Sequence, residues 1–159
     1  MTELKREEIV GHNIKRIHAT AKRRDDLDIT TTFCTLESGL SFLLPLACNP
    51  FVATNPPITA RRLRGSAIDR CVASPIARVL AIQGADGFID PDSLVIQLAA
   101  GDCLTDCCVA PHGTGVSGLR VYHAGELDLS SHRDYWVLDR VADARFMRHH
   151  AKNDDERAS

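Results

Sequence analysis

Four side chains in the second half of the chain carry residue types that metal or thiol chemistry needs: Cys103, Cys107, Cys108 and His112. Thiolate and imidazole suit zinc, which holds its ligands at about 2.0–2.3 Å in a tetrahedron. The spacing works against that use. Residues 103–109 read as a strand. At about 3.3 Å rise per residue, Cys103 and Cys107 stand roughly 13 Å apart on one face, and Cys107 and Cys108 point to opposite faces. The C-x3-C-C-x3-H pattern also lacks the C-x2-C hook of structural sites. The cysteines are therefore expected to act as small buried hydrophobes. No cofactor is expected; zinc is the metal these four residues would suit, and thiol catalysis the alternative chemistry.

Directly after them, Gly113-Thr114-Gly115-Val116-Ser117-Gly118 spells G-x-G-x-x-G. A dinucleotide fingerprint needs a helix opening within it and room for a doubly wound sheet beyond. Here Leu119–Tyr122 is strand-like and only 41 residues follow Gly118. The expectation is a loop whose backbone amides, over His112, Gly113, Thr114, Gly115 and Ser117, form an anion-binding nest. Gly101-Asp102-Cys103 resembles the nucleophile motif of viral chymotrypsin-like cysteine proteases, with His18 and Asp28 upstream in the order of its partners. That pattern continues with glycine where this chain has Leu104, and His18 falls in a predicted helix, so the reading is not adopted. Asp86, Asp90 and Asp92 do not make an EF-hand: position 3 of such a loop is Phe88, position 12 is Gln97, and the glycine at position 6 is missing.

Two basic clusters remain. Residues 1–24 hold seven Lys and Arg against three acids, a local +4 in a chain whose formal net charge is −2. Lys15, Arg16, Lys22, Arg23 and Arg24 from this segment, with Arg61, Arg62 and Arg64, are the candidates for nucleic-acid contact. The acids near the start and the lack of aromatic residues favour a solvated helix face instead.

These residues need elements to position them. Val10, Ile14, Ile17 and Ala21 recur at steps of four, three and four, which predicts an amphipathic helix over 2–24. Ile29–Leu36, with four β-branched residues, and Leu40–Leu46 predict a hairpin about Glu37-Ser38-Gly39. Asn49-Pro50 and Asn55-Pro56-Pro57 mark a loop. Ile58–Cys71 carries no clear pattern. Ile76–Gln83, Leu94–Ala99, Cys103–Val109, Leu119–His123 and Tyr135–Leu138 read as further strands, with a turn at Ala100-Gly101-Asp102. Trp136 is expected in the core. Asp139–His150 reads as a short helix and 152–159 as a disordered tail. No repeat at a fixed period is visible.

The expected fold is α+β: a single domain over 1–151, with a mainly antiparallel sheet or small open barrel (27–139) beside an N-terminal helix and a short C-terminal one. No apolar run approaches the roughly 20 residues of a membrane span, and the charged N-terminus is unlike a signal peptide, so a cytoplasmic location is expected. A compact, strand-rich chain without a catalytic motif points to a non-catalytic protein- or ligand-binding module of inhibitor, immunity or adaptor type. The alternatives are a thiol- or metal-dependent enzyme using Cys103–His112, then nucleic-acid binding through the basic N-terminal segment. A protein or small ligand is the expected partner, nucleic acid and membrane are not, and a homo-oligomer is compatible with these features.

Overall fold

The computed structural model describes residues 2–24, 27–107 and 118–139, with the backbone alone for 21–24, 27–29 and 107. Among them the architecture is mainly β, with nine antiparallel strands in two sheets and two short helices. The predicted helix over 2–24 does not form. Only Arg6–Ile9 is helical (α1), and Ile14–Arg24 is an eleven-residue strand, β1. The cause is a β-bulge. Ile14 pairs with Leu36 but Arg16 pairs with Thr35, so Lys15 is an extra residue in the ladder. One inserted residue reverses the alternation of faces. Ile14 and Ile17, three apart, therefore both turn into the core and are fully buried, which mimics a helical stripe in sequence.

β2 (Leu27–Leu36) and β3 (Ser41–Leu43) continue a meander from β1, as the predicted hairpin required, and β4 (Arg61–Arg62) pairs with the other edge of β1. The first sheet thus runs β3-β2-β1-β4. After a seven-residue helix, α2 (Ser66–Val72), the second sheet is built from β5 (Ile76–Ala81), β6 (Val95–Leu98), β7 (Cys103–Cys107), β8 (Gly118–Tyr122) and β9 (Arg133–Asp134). Its order is β8-β7-β6-β5-β9. The predicted strand at Tyr135–Leu138 is instead a single 3₁₀ turn over Tyr135–Val137. The predicted C-terminal helix, apart from Asp139, and the tail lie outside the described residues.

The two sheets are two copies of one pattern, so the sequence does carry a repeat. Ile14–Leu36, Ile17–Cys34 and His18–Phe33 in the first sheet become Ile76–Leu98, Val79–Ile96 and Leu80–Val95 in the second, both partners displaced by 62 residues. The bulge recurs at the same place, between Ile76 and Arg78. The turns match too. Leu36 N–H donates to Leu40 O and Leu98 N–H to Asp102 O, each at 2.8 Å. Gly39 and Gly101 hold the positive φ that the turn requires, +93° and +103°. The edge strands correspond through their pairing: His18 faces Arg62 and Leu80 faces Asp134.

Asn13 forms an antiparallel bridge with Pro75, its own counterpart in the second copy. A residue that pairs antiparallel with its repeat equivalent lies at a local two-fold axis between the halves. Around this axis a continuous apolar cluster draws Ile9, Ile14, Ile17 and Phe42 from one half and Ile76, Val79, Ile96 and Leu104 from the other. Four of the eight aromatic residues stack where the halves meet. Phe51 packs edge-on against Phe42 and Tyr135 at centroid distances of 5.4 and 5.0 Å, and lies stacked with Trp136 at 5.9 Å. Trp136 is thus packed against the core, as its sequence context suggested.

Candidate functional site

The repeat offers a way to find a site. Two halves under the same backbone constraints differ most informatively where one copy leaves a polar group unpaired. The helices α1 and α2 make the clearest case. α2 lies over β1 and β4, and between them is an open cleft of about 360 Å³ lined by Arg16, Ile17, Arg62, Leu63, Arg64, Gly65, Ile68, Asp69 and Val72. In the second half the counterparts of Arg62, Leu63 and Arg64 are Asp134, Tyr135 and Trp136. There the Arg6 guanidinium of α1 forms an ion pair with Asp134 at 3.0 Å, and the two aromatic rings pack on Phe51. The position equivalent to Arg6 in α2 is Ile68, which has no charge to offer.

Arg16 differs in the same way. Its counterpart Arg78 donates through Nε to Gln97 Oε1 at 2.8 Å, across the ladder position that pairs them. Arg16 faces Thr35 instead, and the Thr35 hydroxyl is already bonded to Ser41 Oγ at 2.7 Å. Among the described residues, Arg16, Arg62 and Arg64 have no hydrogen-bonded or ion-paired partner. Their positive charge is opposed within the cleft only by Asp69. His18, directly across from Arg62, has its Nδ1 sealed from solvent and unbonded. Burial, reinforced by the Arg16 and Arg62 charges, pushes its pKa below the ordinary histidine value.

The structure therefore gathers three of the eight basic candidates, Arg16, Arg62 and Arg64, from two clusters separated in sequence by more than forty residues. Arg61 stands exposed on β4 and Lys15 exposed at the bulge. Lys22, Arg23 and Arg24 continue β1 away from the cleft, with only their backbone described. These residues belong to a strand, not to a solvated helix face.

The cysteine candidates divide differently. Cys103 opens β7 and is buried beside Leu80 and Val95, its thiol directed at Gly101 O at 3.6 Å. Burial raises its pKa, as it does for Cys34, pushed up to about 12, and Cys71, pushed up to about 11. These are protonated thiols in apolar surroundings and poor nucleophiles. Cys107 ends β7 and only its backbone is described, while Cys108, His112, Gly113, Thr114, Gly115 and Ser117 lie outside the described residues. Among the described residues no group of three or more His, Cys, Asp or Glu is placed to hold a metal ion. Asp102, in the triplet that resembles a protease motif, is engaged structurally. Arg70 Nε donates to its Oδ2 and Ala124 N–H to its Oδ1, each at 3.1 Å. His18 lies on β1, in the other sheet from Cys103.

A second cavity, of about 410 Å³, opens beside the loop after β3. Its walls include Leu43, Leu44, Pro45, Leu46, Pro50 and Val52 together with Thr30, Thr31, Asn49 and Thr54, and Asp106 lines it as well. Nothing in sequence marked Asp106, one of many aspartates. The signal lies in its place on β7, at the repeat position that Leu44 occupies in the first half.

No helix among the described residues is long and apolar enough to cross a membrane. Comparison of the chain with protein-family models, with curated proteins and with solved structures finds no match.

Proposed function

We propose that this protein is a non-catalytic binding module whose cleft between α2 and the β1–β4 edge takes an anionic group, a phosphate or carboxylate, of a protein or small-molecule partner. One observation carries the reading: Arg16, Arg62 and Arg64 converge unpaired in a cleft whose counterpart in the second half is closed by an ion pair and aromatic packing. Planar guanidinium groups bind carboxylates and phosphates through paired hydrogen bonds. The buried, protonated thiols favour this over a thiol enzyme.

Nucleic-acid binding is the second reading, favoured by the meeting of the two basic clusters. Among the described residues the cleft lining contains no aromatic side chain on which a base could stack, which favours a single anionic group over a strand. Titration with inorganic pyrophosphate by calorimetry tests the proposal. Arg62→Ala and Arg16→Ala should each weaken binding by about 10- to 100-fold, the cost of one charge-assisted hydrogen-bonding partner. Binding that is absent, or unchanged in both variants, would sink it. A preference for a single-stranded oligonucleotide over pyrophosphate, with affinity falling steeply with salt, would favour the second reading.

A further inference from the structure

The cavity beside the loop after β3 holds a group that the anion cleft does not use. Asp106 is half-buried, and its Oδ1 is closed to solvent without a hydrogen-bond partner among the described residues. It sits beside Thr32, whose hydroxyl is also sealed from solvent. Burial raises the Asp106 pKa, against the opposing pull of the nearby Thr32 hydroxyl and amide. A partly buried ionised carboxylate is costly unless a positive charge or hydrogen bonds meet it. The sister position shows what the fold alone needs there, because Leu44, 62 residues earlier, is a buried apolar side chain. The sister half folds without a carboxyl at that position, and none of the described cationic side chains lines the cavity.

We propose that this cavity is a ligand site, separate from the arginine cleft, for a small molecule with an apolar body and a protonated amine that pairs with Asp106. The volume of about 410 Å³ is within the range of small-molecule pockets. Leu43, Leu44, Leu46 and Val52 supply apolar contact for the body, and Asp106 supplies the single charge that fixes its orientation.

The test uses benzylamine and its neutral analogue benzamide as probes, read by thermal unfolding of the full chain at pH 7. At tenfold its dissociation constant benzylamine should raise the midpoint by about 3–6 °C, while benzamide leaves it unchanged. Asp106→Leu copies the sister half, so it should fold with an undiminished midpoint and lose the benzylamine shift. Asp106→Asn, similar in size to aspartate, should lose it as well. Arg62→Ala should retain it, which separates this site from the anion cleft. No benzylamine shift in the native protein, an equal shift with benzamide, or a shift that survives in Asp106→Leu and Asp106→Asn would each overturn the proposal.

Discussion

Alanine at Gly101 and at Gly39 tests the repeat and the packing around it in one experiment. Both glycines sit at the same turn of the two halves with φ near +100°, so each substitution forces an L-residue into left-handed backbone. That strain costs about 1–2 kcal/mol. The surroundings differ. A Cβ on Gly39 meets nothing within 4 Å, whereas one on Gly101 lies 2.7 Å from Ala124 Cβ, closer than side-chain carbons approach. Overpacking of this kind adds about 1–3 kcal/mol. Gly39→Ala should therefore lose about 1–2 kcal/mol and Gly101→Ala about 2–5 kcal/mol by urea unfolding. Removing the opposing methyl should relieve the difference, since the next atom, Ala124 Cα, is at 3.6 Å, an ordinary contact. In a double-mutant cycle, Ala124→Gly should recover about 1–3 kcal/mol in the Gly101→Ala background and none in the Gly39→Ala background. Equal losses at the two glycines, or no coupling between Gly101 and Ala124, would refute the argument.

Two further outcomes follow from buried titratable groups. His18 and His132 both have pKa values lowered by burial, so the folded state holds their protons less readily than the unfolded chain. Their contribution is fully present above the unfolded value near 6.5 and is lost as pH falls through the folded values. Unfolding midpoints should drop on acidification below about pH 6.5, and His18→Gln should flatten that dependence; an unchanged profile in the variant would count against His18. Cys34 and Cys71, with pKa values of about 12 and about 11, should resist iodoacetamide in the native protein at pH 8 and react fully in urea, read by mass spectrometry. Native labelling at the rate of a free thiol would contradict their placement.

Local turn chemistry was legible in the sequence. Glu37-Ser38-Gly39 and Ala100-Gly101-Asp102 mark the two hairpin turns, and the alternation of Leu94, Ile96 and Leu98 marks β6. The first strand was not, because the bulge at Lys15 places buried residues three apart and so imitates the helical period. The same device hides at Ile76 and Val79, where Pro75 and Gly84 bound the segment and the strand was still apparent. The repeat escaped for a related reason. Val10, Ile14, Arg16, Ala19, Asp28, Leu36 and Gly39 recur unchanged 62 residues later, but between them the halves differ in charge and size, and the correspondence becomes plain only in the pairing register. The arginine cleft depends on β4 returning to β1. No local signal in Ile58–Cys71 announces that contact, since it is made between residues more than forty positions apart.

The first dozen residues have a consequence for how the chain reaches this state. Leu4 N–H donates to Phe51 O, Gly11 N–H donates to Ile76 O, and Arg6 pairs with Asp134. This segment is thus fixed by partners spread along nearly the whole described sequence. Native contacts of such long range make folding slow, because loop closure must be accomplished before the contacts offset it. Synthesis at about 5–20 residues per second leaves the amino-terminal segment waiting for several seconds until its last partner is made. During that interval the β3-β2-β1-β4 sheet can form from its own strands. Closure by Arg6 on Asp134 comes only after β9 has been made.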